Sequence, residues 1–355
     1  HNNQSSESTA FCKFKQQPKM KTTQIRMHET GGSDVLKYEE TELPEPSKGE
    51  VLVKVHAVNL GFGEVLYRMG LYIHETKVPG GLGNCAVGTI EQFAEGDDEA
   101  NGFKVGDKVA IMPAFEMKDY PVYGQHAIVP SYSLAPYFEK YSPVENAGIW
   151  MQFLTAYGAI AKTGAQAGDT VLITPGSGSV GQAMLVIARR MGITTIATTR
   201  SQAKVSLLRQ TGADHVVVTN DEDLEERVLQ ITENKGVQVA FNAFAGDVTS
   251  KLTKKIVAEG GKILMFGGIG GHAQTDLPFA DIIGRGISII GYALYQDSFR
   301  YDTKLPMMVE YVSNGVRDGH FKPNIDKVFP FKDVAAAHDY ITAGSTNGAV
   351  ILEIE

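Results

Sequence analysis

Residues 170–181 read Thr-Val-Leu-Ile-Thr-Pro-Gly-Ser-Gly-Ser-Val-Gly, and what surrounds them decides the fold. The first five form a strand-length apolar run that feeds directly into a G-x-G-x-x-G turn at Gly176, Gly178 and Gly181. Beyond it, Val180, Ala183, Met184, Ile187, Ala188 and Met191 recur at helical spacing until Gly192 closes the run. Alone, such a turn is a weak signal. Between a strand and a helix it is specific, because small residues let the backbone of Ser177, Gly178, Ser179, Val180 and Gly181 and the helix N-terminus approach a pyrophosphate.

The same alternation continues downstream. Strand patterns at 193–199, 215–218, 237–241, 262–266 and 287–292 are separated by helix patterns at 203–210, capped by Ser201, at 223–232 and near 248–257. Six strands interleaved with helices predict an α/β domain with a parallel doubly wound sheet over residues 148–297. Upstream, 51–58, 86–93, 108–112 and 125–129 are short β-like runs broken by Gly and Pro, and residues 321–355 return to strand-like text. A second, β-rich domain is therefore expected from 20–147 and 298–355. Residues 1–19 are polar, lack an apolar signal core and precede Met20; they read as an upstream extension or cloning remnant.

The composition narrows the function. The chain has 355 residues, 33 basic against 41 acidic side chains and a net charge of −8, which disfavours nucleic-acid binding. No apolar stretch reaches membrane-spanning length. Two cysteines, Cys12 and Cys85, cannot build a disulfide framework or a four-cysteine zinc lobe, so a reducing, cytoplasmic setting is expected.

About 20 residues past the glycine turn, the end of the second strand sorts nicotinamide cofactors: an acid there takes the ribose 2′-hydroxyl, a cation a 2′-phosphate. The chain offers Thr199, Arg200, Ser201 and, one turn on, Lys204, and no acid. NADP(H) is the expected cofactor.

These features, with Leu154-Thr155-Ala156-Tyr157-Gly158, Gly168-Asp169 before the first strand, Gly260-Gly261 and Arg68-Met69-Gly70-Leu71-Tyr72, resemble the medium-chain dehydrogenase/reductase superfamily, in its zinc-independent, quinone-oxidoreductase-like branch. The resemblance implies a GroES-like β-rich catalytic domain beside a Rossmann domain. It places Thr155 beside the nicotinamide, the Phe266 and Gly267 backbone near the carboxamide, and Asn242 along the crevice. Where zinc-using members carry ligands, this chain has Gly61, Asn84 and Cys85, so no metal is expected. The branch's usual Asn is also missing at Gly61; Asn59, two residues earlier on an extended strand, faces the same side. Glu64 keeps the acid of the pattern, and Tyr72, Tyr123 and Trp150 are candidate walls of the substrate pocket.

Hydride delivery to a quinone or an activated enone, with Tyr72 or water giving the proton, is the expected reaction of such a site. A carbonyl reductase, or a sensor that binds NADPH without turnover, are the alternatives. Partners are expected to be a small-molecule acceptor and a second copy of the chain, joined through the hydrophobic edge strand at 287–292, as the resemblance also implies.

Overall fold

The computed structural model describes residues 20–97, 99–270, 276–296, 305–344 and 346–354. The expected extension 1–19 and the domain boundary at 297/298 lie outside the described residues. Thr170–Thr174 is the innermost strand of a six-stranded, wholly parallel sheet. Across that sheet the order is His215–Val218, Thr194–Thr199, Thr170–Thr174, Val237–Phe244, Val257–Ile269, Ser288–Gly291. In chain order this is 3-2-1-4-5-6, with the topological switch between the first and fourth strands, where ligands bind in doubly wound sheets. Ser179–Met191 is helical over the expected span and ends on Gly192 at φ 72°, a left-handed cap that glycine adopts without penalty.

The β-rich lobe is a mostly antiparallel sheet centred on Glu50–Leu60, which pairs with Ala86–Phe93, His126–Pro130 and the last strand, Ala349–Glu353. The chain end thus returns to its beginning: Ile351 lies opposite Asn59. A buried apolar cluster runs without a break from Ala57, Cys85 and Val87 of this lobe to Val171, Ile173 and Phe241 of the parallel sheet. The two lobes therefore share a core.

Two expectations are corrected. The helix near 248–257 is Asp247–Lys251 followed by one wide turn, Leu252–Ile256, and Val257 already pairs with Val237, so the fifth strand begins five residues early. The tail is not all strand: Val334–Thr342 is a helix burying Val334, Ala337, His338 and Ile341, the 0, 3, 4, 7 spacing of a helix face.

Candidate active site

A single cleft of about 2240 Å³ runs from the glycine turn to the helix Phe62–Arg68 of the other lobe. That is more than twice the upper range of an ordinary ligand pocket, roughly 1,000 Å³. Ser177, Gly178, Ser179, Val180 and Gly181 line one end. Gly178 is the N-cap of Ser179–Met191 and gives no side-chain cap, so the first N–H groups of that helix are left for an anion. A Cβ on Gly181 would meet the Pro175 carbonyl oxygen at 2.4 Å, whereas one on Gly178 would meet nothing within 4 Å. The third glycine therefore seats the helix against the strand, and the second opens backbone to the cleft. This cradle fits a dinucleotide pyrophosphate.

Thr199, Arg200, Ser201 and Lys204 line the cleft at the end of the second strand. Ser201 caps the short turn Gln202–Lys204 by accepting from the Ala203 N–H at 3.3 Å. Arg200 Nη2 donates to the Gly344 carbonyl at 3.2 Å and Lys204 Nζ to that of Thr346 at 2.9 Å, so both cations lean on the turn before the last strand. Burial, with Arg200 adding to it and Asp326 opposing, pulls the Lys204 ammonium below its usual pKa, which favours an anion beside the pair. Arg200 carries five N–H donors, more than this one contact uses.

In the middle of the cleft, Thr155 and Met151 face it from one side of the helix Trp150–Thr163, and Phe266 and Gly267 from the end of the fifth strand. Thr155 Oγ1 donates to the Met151 carbonyl at 2.6 Å. At the far end stand Asn59, Gly61, Glu64 and Tyr72. Glu64 is 2% exposed; its Oε2 accepts the Gly61 N–H at 3.0 Å, and desolvation raises the carboxyl to about 7. Tyr72 is half-buried over Gly63, where an added Cβ would lie 3.3 Å from its ring, and its hydroxyl is pushed above the usual value by burial and by the Glu64 charge.

Three expected site residues are placed elsewhere. Asn242 is fully buried and spends its amide on its own strand's bulge and the next helix, donating to the Phe244 carbonyl at 3.0 Å and to Thr249 Oγ1 at 3.1 Å and accepting the Phe244 N–H at 3.0 Å; Ala243, Phe244 and Ala245 line the cleft instead. Trp150 stacks on Phe138 with centroids 5.9 Å apart and donates to the Pro136 carbonyl at 3.2 Å, inside the shared core. Tyr123 is 1% exposed behind the cleft wall, packed so closely on Gly83 that a Cβ there would lie 2.2 Å from its ring. Asn59 reaches the cleft, but its amide N–H groups go to the Ala147 carbonyl and to Gln152 Oε1 rather than into open space.

The sequence reading missed the acceptor-side walls Leu71, Ile73, His74, Phe115, Met117 and Tyr295, and Gly344 and Thr346 at the cofactor end. All but Leu71, Ile73 and His74, which border Tyr72, come from distant loops with no motif of their own.

With this geometry in hand, the chain can be set against known proteins. The alcohol dehydrogenase GroES-like domain model matches residues 47–156 and the zinc-binding dehydrogenase model residues 179–310, one on each lobe. Human quinone oxidoreductase is 28% identical over 331 residues, covering 92% of this chain and 96% of that protein. The 2-haloacrylate reductase of a Burkholderia species is 26% identical over 92% of this chain and 97% of its own. A solved quinone oxidoreductase from Pseudomonas syringae superposes with a TM-score of 0.84 at 25% identity, covering 94% of this chain and 99% of that one.

The chain belongs to the medium-chain dehydrogenase/reductase superfamily. Within it the chain falls in the zinc-independent, quinone-oxidoreductase-like branch and is a nicotinamide-dependent oxidoreductase. The zinc in the name of the second domain model does not fit this site. Gly61 has no donor atom, Asn84 offers an amide, and burial pushes the Cys85 thiol up to about 12, which keeps it protonated. Among the described residues no three His, Cys, Asp or Glu side chains are grouped to hold a metal.

Proposed function

We propose that this medium-chain reductase uses NADPH to reduce a quinone or an electron-poor enone. The observation that carries the reading is the continuity of the cleft: the phosphate cradle, Thr155, Phe266 and Tyr72 line one space, so a dinucleotide and a small acceptor can lie end to end. When bound, NADPH supplies the hydride. The helix N-terminus at Gly178 holds the pyrophosphate, and Arg200 and Lys204 take the 2′-phosphate. Thr155 and the Phe266–Gly267 backbone border the nicotinamide, and Tyr72 offers a hydroxyl on the acceptor side. With Gly61, Asn84 and Cys85 in the metal positions, an alkoxide has no Lewis acid to rest on, whereas charge arriving on a conjugated oxygen needs only a hydrogen-bond donor. Relatives described as quinone oxidoreductases and as a 2-haloacrylate reductase support both acceptor types.

The same reading includes a homodimer and a cytoplasmic location. Ser288–Gly291 is the open edge of the parallel sheet, and the helix before it leaves Phe279 74% and Ile283 79% exposed, an apolar face suited to a second copy. Among the described residues no helix is long and apolar enough to cross a membrane.

The test is a panel of 1,4-benzoquinone, 9,10-phenanthrenequinone, small enones and simple aldehydes, each with NADPH and NADH and scored by kcat/KM. Quinones or enones turned over with NADPH support the reading. Aldehydes reduced while quinones and enones are inert make the protein a carbonyl reductase, and NADPH binding without any turnover makes it a sensor.

A further inference from the structure

Behind the acceptor end lies a buried carboxyl that the reading above leaves idle. Glu64 Oε1 has no hydrogen-bond partner in the described structure, although Glu64 borders the cleft. The Asn84 Oδ1 and the Tyr123 hydroxyl are buried without partners as well. Further inward, the Tyr123 ring meets His338 edge-on at 6.2 Å, and both His338 ring nitrogens and the Arg68 Nε and Nη1 are likewise unpartnered. Buried polar groups are normally satisfied, so a seam of this many open donors and acceptors is a path for bound water. It runs from Glu64 toward Arg68, whose guanidinium feels the charges of Asp339 and Asp34 near the surface. With a dinucleotide and an acceptor filling the open side of the cleft, this seam would be the remaining route by which a proton reaches Glu64.

We propose that Glu64 is the proton store of the reduction, passing its proton through the Tyr72 hydroxyl to the acceptor and taking another from the Tyr123–His338 seam. The proposal rests on the reductase reading. Hydride adds to the β-carbon of an enone, and the π pair moves to the carbonyl oxygen as an enolate. That enolate takes the Tyr72 proton, Tyr72 takes the Glu64 proton through a bound water at the unpartnered Oε1, and the Glu64 carboxylate is recharged with one proton from solvent. The products are a saturated ketone and NADP⁺, with one proton consumed. Glu64 thus acts through Tyr72, as a positioning residue for the proton.

The charges around it fit the role. Three titratable groups respond to the Glu64 charge: Tyr72 from the loop after its helix, Cys85 from the residue just before the strand Ala86–Phe93, and Tyr123. Glu116 adds a second negative charge near Tyr72, so Tyr72 alone is a weak acid. The thiol of Cys85, pushed up to about 12, stays neutral. At the end of the seam, burial and the Arg68 charge lower His338 to about 3, leaving a neutral imidazole that accepts at one nitrogen and donates at the other. A carboxyl near 7 holds its proton below neutral pH, is about half protonated at it and empties above it, so kcat falls on the alkaline side.

Glu64→Gln keeps an oxygen for the Gly61 N–H but releases no proton. Expected are a loss of roughly 10²-fold in kcat toward an enone, disappearance of the alkaline limb near pH 7, and an NADPH Kd by fluorescence within about twofold of wild type. Glu64→Asp should restore part of kcat and a shifted limb. The double variant Glu64→Gln/Tyr72→Phe should be no slower than Tyr72→Phe, because the two groups act in series. Retained kcat and pH limb in Glu64→Gln, or losses that multiply in the double variant, overturn the proposal. Difference infrared spectroscopy of the wild type, with the band assigned by Glu64→Gln, gives a readout without turnover. A carboxyl that titrates below pH 5 overturns the store even if the reductase reading holds. A band titrating near 7 in a protein inert toward every acceptor sinks the reductase reading alone.

Discussion

Two glycines of the same turn, three residues apart, should respond to the same substitution in opposite ways. Gly178→Ala adds a methyl group that meets nothing within 4 Å, at φ −73° and ψ 166°, a conformation alanine adopts freely. Losing glycine at an N-cap costs a few tenths of a kcal/mol to about 1, and reducing backbone freedom in the unfolded chain returns about 0.4–1, so stability should change by less than about 0.5 kcal/mol. Its methyl group would project into the space assigned to the pyrophosphate, and the NADPH Kd should rise at least about tenfold, or 1.4 kcal/mol. Gly181→Ala forces a Cβ to 2.4 Å from the Pro175 carbonyl oxygen and 2.8 Å from that of Gly176, both backbone atoms that cannot swing aside. The helix must shift off the strand, at a cost of about 1–3 kcal/mol and several degrees in Tm. Thermal unfolding without cofactor and NADPH fluorescence titration read the two effects separately. A Gly178→Ala protein that folds normally and binds NADPH with wild-type affinity would falsify the assignment of the cradle.

The remaining predictions touch the cofactor clamp, the sheet edge and the buried carboxyl. Arg200→Glu should weaken NADPH by at least about tenfold while leaving NADH within about threefold, since one charge-assisted phosphate contact is worth roughly 1.5–3 kcal/mol; unchanged discrimination in a titration with both cofactors places the clamp elsewhere. Phe279→Ser with Ile283→Asp should give a monomer by light scattering at micromolar concentration if the exposed helix face and the Ser288–Gly291 edge join two copies, and a wild-type monomer contradicts the dimer outright. Because burial raises Glu64 from 4.5 to about 7, the folded state holds its proton longer than the unfolded chain; stability from this group is complete below about pH 4.5 and is lost as pH rises through 7, by at most about 3 kcal/mol. Urea unfolding should therefore show Glu64→Gln gaining on wild type between pH 5 and pH 8, and parallel profiles refute the raised value.

What could be read from the sequence follows a physical division. Parallel strands buried on both faces and helices with one apolar face impose local periods, so Thr170–Thr174, Ser179–Met191 and His215–Val218 could be bounded to the residue. The glycine turn was legible because backbone approach demands glycine wherever it occurs. The acceptor side obeys no such period: Tyr72, Phe115 and Tyr295 meet only because three loops converge, and aromatic type does not distinguish a wall from a core. One signal was available and unused. Met151 and Thr155, four residues apart, face the cleft, so Trp150, Phe153, Leu154 and Tyr157 fall on the other sides of that helix, which already argues against Trp150 as a wall. The register shift that absorbs Asn242 had no such sign, because a bulge depends on the neighbouring strand as much as on its own residues.

The lobes meet next to the cofactor end of the cleft. Gln182, one turn into the helix that begins at the glycine turn, donates to the carbonyls of Ser177 at 2.9 Å and Asn347 at 2.8 Å, and it accepts from Asn324 Nδ2 at 2.6 Å. Arg200 and Lys204 grip the carbonyls of Gly344 and Thr346 on the same turn. From that turn the chain enters Ala349–Glu353, which pairs directly with Glu50–Leu60, the strand that leads through Gly61 into the helix carrying Glu64. At the other end of the cleft, that helix rests on the fifth strand, where a Cβ on Gly268 would lie 3.2 Å from Leu66. If the proposed clamp holds, a 2′-phosphate drawn to Arg200 and Lys204 would share their donors with the Gly344 and Thr346 carbonyls, next to the strand that pairs with Glu50–Leu60. The two lobes share one buried core as well as this turn, so the cofactor end and the acceptor end of the cleft are joined by packed side chains and by hydrogen bonds.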